Sequence, residues 1–177
     1  MRRRTIWKSR LAVVMGVTFL LMGGCTQKST SGFKPNSEPD GFAGMKWELD
    51  FPQTQGAEWT ETRFEADPSA PDKKIKIWYV KKGDDMKMGD SEVEKIEYGS
   101  WKGKFSDVQI MAKGPENFDK LKKVFFERYG TAQPTQGVYV WNGPVTRISL
   151  RYDEATKTST LTIGSTKLTF KEIFSKD

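Results

Sequence analysis

The sequence contains no histidine and a single cysteine among its 177 residues. The absence of histidine excludes an imidazole general base and every metal site that requires an imidazole ligand. One cysteine excludes an internal disulfide and all redox or metal motifs built from several cysteines. No G-x-S-x-G, P-loop or G-x-G-x-x-G pattern is present either. We therefore expect no catalytic, cofactor-binding or metal-binding residues, which favours a protein that is not an enzyme.

The first 24 residues have the composition of an export signal. Five basic residues and no acidic residue precede an apolar run of 12 residues, 11–22, which Gly23 and Gly24 end. A basic start, a short apolar stretch and small residues before a cleavage point are typical of a secretory signal. Twelve apolar residues are too few to span a bilayer as a helix, which needs about 20. We expect residues 1–24 to be a signal peptide that is removed.

Residues 21–25, LMGGC, resemble the lipobox of bacterial lipoproteins. The resemblance implies that Cys25 receives a diacylglyceryl thioether, is exposed by cleavage and is then acylated on its new amino group by a palmitate-type chain. It also implies attachment to the cell membrane or the outer membrane, facing the periplasm or the cell exterior. Residues 3–8 resemble a twin-arginine export signal as well, and an ordinary basic signal start is the alternative that we favour.

The basic charge of the chain belongs mainly to this signal. The whole sequence has 29 Lys and Arg against 23 Asp and Glu, and five of those bases precede Cys25. The remaining 24 bases and 23 acids nearly balance. A near-neutral domain lacks the strong field that gathers polyanions, so no nucleic-acid partner is expected.

The remainder divides into a tether and one domain. Residues 26–40 are polar and have no apolar period, so with Cys25 they are predicted to form a flexible tether, 25–40. Residues 41–177 are enough for one core without disulfides and form a single predicted globular domain.

Alternation and helical periodicity predict an α+β fold, a mostly antiparallel sheet with one main helix packed on one face. Strands are predicted at 75–81, 92–98 and 104–112, and a meander of three strands over 138–164, with weaker candidates at 42–47 and 58–64. Pro68 and Pro71 mark a loop. The apolar stripe over 118–129 predicts the helix, with Asn117 as a candidate cap and Gly130 as its stop. Residues 167–175 are a final helix or strand.

Segments of residues 41–152 also resemble a group of uncharacterised exported lipoproteins. The segments are 41–47 (GFAGMKW), 83–85 (GDD) and 98–105 (YGSWKGKF), together with 117–121 and 129–130. The resemblance implies a shared fold and transfers no activity.

Two kinds of residue remain as candidates for function. Four carboxylates, Asp84, Asp85, Asp90 and Glu92, lie close in sequence but lack the spacing of a calcium loop. Trp101, in a predicted turn, and Phe105, on the polar side of the next strand, could stack on a sugar or anchor a protein.

The leading interpretation is a lipid-anchored, non-enzymatic binding or accessory module of the cell envelope. Its partner, an envelope protein or glycan, would meet a sheet face whose candidate residues are Trp101, Phe105, Arg147, Arg151, Asp107 and Gln109. The alternatives are a hydrolase of envelope glycans that uses paired carboxylates, and a carrier of a small ligand.

Overall fold

The computed structural model of the chain describes residues 32–51 and 59–174. The predicted signal peptide, Cys25 and the first part of the tether lie outside the described residues, so the expectations for them stay predictions. Within those two ranges, no helix is both long and apolar enough to cross a membrane.

The described elements are mainly strands. In chain order they are β1 (Gly41–Phe42), β2 (Met45–Lys46), β3 (Trp59–Asp67), β4 (Ala70–Lys81), β5 (Lys87–Met88), β6 (Ser91–Glu92), β7 (Lys95–Trp101), β8 (Lys104–Lys113), α1 (Pro115–Tyr129), β9 (Pro134–Thr135), β10 (Val138–Asn142), β11 (Thr146–Asp153), β12 (Thr158–Ser165) and α2 (Thr166–Phe174).

Eight of the strands form one antiparallel sheet in the order β3-β4-β7-β8-β12-β11-β10-β9, and β1-β2 and β5-β6 form two small hairpins. The predicted meander is confirmed as β10-β11-β12. The prediction of a mostly antiparallel sheet with one main helix is likewise confirmed. Because strands dominate, the α+β label describes the fold only loosely.

The core lies between one face of the sheet and α1. Alternate residues of each strand point to it, so that Ile110 of β8 lies beside Leu161 of β12, which in turn lies beside Leu150 of β11. The apolar stripe of α1 supplies Leu121 and Phe125 to the same cluster. All five side chains are at most 2% exposed. Burial of this apolar area is the main stabilising contribution to the fold.

A bulge in β8 reverses the side of the sheet to which Phe105 was predicted to point. Gly99 pairs with Asp107, whereas Ser100 pairs with Phe105, so Ser106 is an extra residue on β8. The bulge places Phe105 on the core face with 1% exposure, and its prediction as a surface residue is wrong.

Trp101 also differs from its prediction. It ends β7 instead of lying in a turn, and it is 9% exposed.

The segment before the sheet contacts the domain, although the sequence predicted a tether up to residue 40. The Phe33 ring packs edge-on against Tyr129 at 5.6 Å between ring centres, and the Lys34 amide donates to the Tyr129 carbonyl at 2.8 Å. Glu38 Oε1 accepts hydrogen bonds from the amides of Val145 and Thr146, both at 2.7 Å. The segment is polar and has no apolar period, and for that reason its composition predicted a flexible tether. The contacts that hold it depend on residues far away in the sequence.

Two local predictions need correction. The Pro68 region is a tight turn of a long β3-β4 hairpin, and Pro71 lies within β4, near its outer end.

Asn117 does not cap α1: it lies inside the helix, where Nδ2 donates to the Lys113 carbonyl and Oδ1 accepts from the Glu92 amide. Gly130 follows the helix with φ of 97°, as predicted for a stop that suits glycine.

Candidate functional site

The sheet face opposite α1 carries most of the polar side chains of the central strands, and we call it the second face. Its members are the strand residues that alternate with the core positions. They are Lys76 and Trp78 of β4, Glu97, Gly99 and Trp101 of β7, Asp107, Gln109, Met111 and Lys113 of β8, Thr158, Thr160, Thr162 and Gly164 of β12, Arg147, Ser149, Arg151 and Asp153 of β11, and Val138, Val140 and Asn142 of β10.

One end of the second face holds a buried carboxylate that several donors surround. Glu97 is 1% exposed and accepts from Thr62 Oγ1 at 2.7 Å, while Lys95 Nζ lies 2.7 Å and Arg63 Nη2 3.2 Å from its carboxylate oxygens. Burial raises the pKa of Glu97, but the hydrogen bonds from Lys95, Thr62 and Arg63 outweigh it and leave the pKa below its usual value. The Arg63 guanidinium also lies 3.7 Å from the ring centre of Trp78. This end is therefore closed by its own ion pairs.

A second buried ion pair lies beside it. Lys76 Nζ is 3.0 Å from Asp107 Oδ1, and both side chains are less than 10% exposed. Gly99 and Gly164 pair with Asp107 from either side. A Cβ on Gly99 would lie 2.5 Å from Asp107 Oδ1, and one on Gly164 would lie 2.8 Å from Asp107 Cβ. Because neither glycine has a side chain, the Asp107 side chain has room between them.

The other end of the second face is open. Arg147 and Arg151 of β11 are exposed, and Ser149 between them is half-buried. Thr162 and Thr160 of β12 pair with Ser149 and Arg151, so residues with hydroxyl groups lie between and beside the two arginine positions. We call these five residues the arginine strip. Within the described part of the chain, neither arginine side chain forms an ion pair or a hydrogen bond.

The structure thus separates the residues that the sequence grouped as one surface. Arg147 and Arg151 lie together on the second face, and Gln109 lies on the same face, where its Oε1 accepts from Arg63 at 2.9 Å. Trp101 is on that face but buried, with the Lys102 ammonium 4.8 Å from its ring centre. Phe105 belongs to the core, and Cys25 lies outside the described residues.

Of the four acidic candidates, Asp84 has a clear structural partner. Asp84 Oδ2 accepts from the Tyr98 hydroxyl at 2.7 Å, and burial together with this hydrogen bond raises the pKa of Tyr98. In residues 32–51 and 59–174, no group of three or more Asp, Glu, His or Cys is placed to hold a metal ion.

A small cavity lies on the other side of the sheet, between the first hairpin and α1. Its volume is about 120 Å³, and it is lined by Pro39, Gly41, Phe42, Ala43, Met88, Val124, Phe125, Arg128, Tyr129 and Ile163. Sites for drug-sized ligands span roughly 300–1,000 Å³, whereas an apolar cavity of about 150 Å³ admits benzene. This cavity therefore suits at most a molecule of about benzene size.

No family model, no curated protein and no solved structure gives a significant match to this chain. Its function therefore has to be inferred from its own residues.

Sequence reasoning missed the residues that close one end of the second face. Glu97, Arg63 and Lys76 look like ordinary surface charges in the sequence, because Arg63 and Glu97 are 34 positions apart and Lys76 pairs with an acid on another strand. One signal in the sequence bears on them: both alternating sets of residues 75–80, IKIWYV, contain apolar side chains, which indicates a strand that is covered on both sides. Trp78 and Tyr79 are indeed buried on opposite faces.

Proposed function

We propose that the protein is a lipid-anchored, non-enzymatic binding module of the bacterial cell envelope. It is attached to the membrane through Cys25 and meets an envelope protein or polymer through the arginine strip. The signal peptide and the LMGGC segment support the anchor. The observation that supports the binding role is the pair of exposed arginines, which form no ion pair or hydrogen bond within the described residues. They lie on an open half of the sheet, between the hydroxyl side chains of β12 and the half-buried Val138 and Val140 of β10.

The low cost of removing water from arginine explains why two exposed arginines point to a partner. The acidic groups that β7 and β8 place on the second face, Glu97 and Asp107, are buried and already held by cations. Arginine offers five N–H donors in a planar fork and is weakly hydrated, so it suits contacts with carboxylates, phosphates and carbonyl groups at interfaces. A sheet surface that is held by hydrogen bonds between its strands also needs little ordering on binding.

The anchor is tested by replacing Cys25 with serine. The wild-type protein should be recovered in the membrane fraction and take up labelled fatty acid, and Cys25→Ser should lose both properties. The matched control is Thr26→Ser, which changes the neighbouring residue and should keep both. Equal membrane recovery of the Cys25→Ser and wild-type proteins would contradict the anchor.

The binding role is tested by photo-cross-linking in cells. A photoreactive amino acid at Ser149, inside the arginine strip, should give a discrete adduct that disappears when Arg147 and Arg151 are both replaced by glutamine. The same amino acid at Lys123, an exposed position of α1, is the matched control. Adducts of equal strength from both positions, or none from Ser149, would contradict the proposal.

The cavity beside α1 favours a second candidate, a carrier of a small apolar ligand. Replacing Val124, whose side chain lines the cavity, with tryptophan would fill it and abolish such binding. The hydrolase alternative gains no support from contacts in the described residues.

A further inference from the structure

The arrangement of the arginine strip, and not only its two positive charges, indicates what kind of partner it binds. From the strand geometry and the distribution of charge around it, we propose that the partner is a linear anionic polymer whose carboxylate or phosphate groups bind Arg147 and Arg151. This inference rests on the proposed binding role and specifies the chemistry of the partner.

The spacing of the two arginines fits an extended ligand. They are four residues apart on one strand, so their Cα atoms are separated by about 13 Å at the usual rise per residue. Ser149 lies halfway, and Thr162 and Thr160 lie one strand away, about 4.8 Å to the side. A chain that lies along β11 can place one anionic group at each guanidinium and hydrogen-bond to hydroxyl groups between them.

The surrounding charges favour anions over cations. Asp107 lies in the same cross-strand row as Arg147, but it is buried and bound to Lys76 and Ser106. Two exposed acids lie near Arg151: Asp153, at the end of β11, and Glu154, which forms an ion pair with Lys157 at 2.8 Å. The Asp153 carboxylate accepts from the amides of Thr156 and Ala155, and these hydrogen bonds, with a smaller effect of the Arg151 charge, hold its pKa below the usual value.

Lys113 adds a third cation near this end. It lies beside Thr158, and its Nζ donates to Thr158 Oγ1 at 2.9 Å. The exposed charge of the region is therefore positive, although the whole mature chain is nearly neutral. Overall neutrality argues against nucleic acid as the natural partner, and it does not exclude a local anion site of this size.

The test measures binding of the mature chain, residues 25–177 with Cys25→Ser, to three defined polymers. The probes are polygalacturonate, which carries carboxylates, long-chain polyphosphate, and neutral dextran. We expect binding to at least one of the two anionic polymers and none to dextran; the polymer that binds identifies the anionic group. With two charge contacts, the affinity should fall about sevenfold between 50 and 200 mM salt.

Variants separate the strip from general electrostatic attraction. Arg147→Gln/Arg151→Gln should weaken binding at least about tenfold, whereas Arg147→Lys/Arg151→Lys should retain part of it, because lysine keeps the charge without the planar fork. The matched control is Lys87→Gln/Lys123→Gln, which removes two exposed cations that lie outside the second face, in β5 and α1. Unchanged circular dichroism will show that each variant is folded.

Three outcomes would overturn the inference: no binding to either anionic polymer, equal weakening by the control pair, or binding that the arginine variants leave unchanged. A Ser149 adduct in cells without polyanion binding would overturn this inference alone and leave the binding role intact. If neither the Ser149 adduct nor polyanion binding is observed, both this inference and the proposed binding role are overturned.

Discussion

Single aromatic side chains in this domain differ sharply in their expected contribution to stability. Phe105 is 1% exposed, in contact with the rings of Trp47, Phe51 and Tyr98, whereas Phe64 on the edge strand β3 is 51% exposed. Phe105→Ala should lower the free energy of unfolding by about 3–5 kcal/mol, because it removes buried area and leaves a cavity. Phe64→Ala should cost less than about 1 kcal/mol. Urea unfolding of both variants measures the difference; similar values would place Phe105 at the surface.

The buried carboxylate of Glu97 predicts a specific pH dependence. Because its pKa is lower in the folded protein than in the unfolded chain, Glu97 stabilises the fold above the unfolded value of about 4.3. That contribution is lost as the pH falls through the lowered pKa. Glu97→Gln should cost about 1–3 kcal/mol at pH 7, since it removes a charged acceptor from three donors.

The measurement is the difference in unfolding free energy between wild type and Glu97→Gln from about pH 7 to about pH 3. The gap should be constant above about pH 6 and narrow below about pH 4. A matched carboxylate, Glu154, is exposed and pairs with Lys157 on the same turn, so Glu154→Gln should have little effect. A gap for Glu97→Gln that does not change with pH would contradict the lowered pKa.

At the scale of elements, the register of three strands depends on one crowded position. Gly99, Asp107 and Gly164 lie side by side on β7, β8 and β12. A methyl group at Gly99 would collide with the Asp107 carboxylate, so Gly99→Ala should destabilise the domain by about 1–3 kcal/mol.

Removing the carboxylate should remove most of this cost. In an Asp107→Ala background, Gly99→Ala should therefore be much less harmful, and a double-mutant cycle measures the coupling. Additive effects of the two substitutions would show that the glycine is required for another reason.

The segment 33–39 is where the structure differs most from the prediction made from composition, since a flexible tether was predicted and the segment contacts the domain. Its contacts include the Phe33–Tyr129 ring pair and the two hydrogen bonds that Glu38 accepts from β11 and the residue before it. A chain that begins at residue 41 should therefore melt roughly 5 °C or more below one that begins at residue 32, since about 2 kcal/mol of contacts are lost. Glu38→Ala in the longer chain should give part of this shift, and identical melting temperatures would show that the segment does not contribute.

At the scale of the whole molecule, local sequence patterns predicted where strands and helices lie better than they predicted which residues contact each other across the fold. Alternation over β8, β11 and β12 and the apolar stripe of α1 depend on adjacent residues, and all four elements lie where they were predicted. The Ser106 bulge escaped prediction because one extra residue changes the face of Phe105 without changing the composition. Of the candidate surface, Arg147 and Arg151 were recognisable from alternation. The contacts that bury Glu97, Asp107 and Trp101 join distant parts of the chain.

The proposed binding role has one direct test at this scale. Backbone amide chemical shifts of the mature domain can be followed by NMR while an envelope extract is added, and then with the anionic polymer that binds. We expect the shift changes to cluster on β11 and β12 around Arg147, Ser149 and Arg151, and Arg147→Gln/Arg151→Gln to abolish them. Shift changes confined to the cavity residues around Phe42 and Val124, or none at all, would contradict a binding site on the second face.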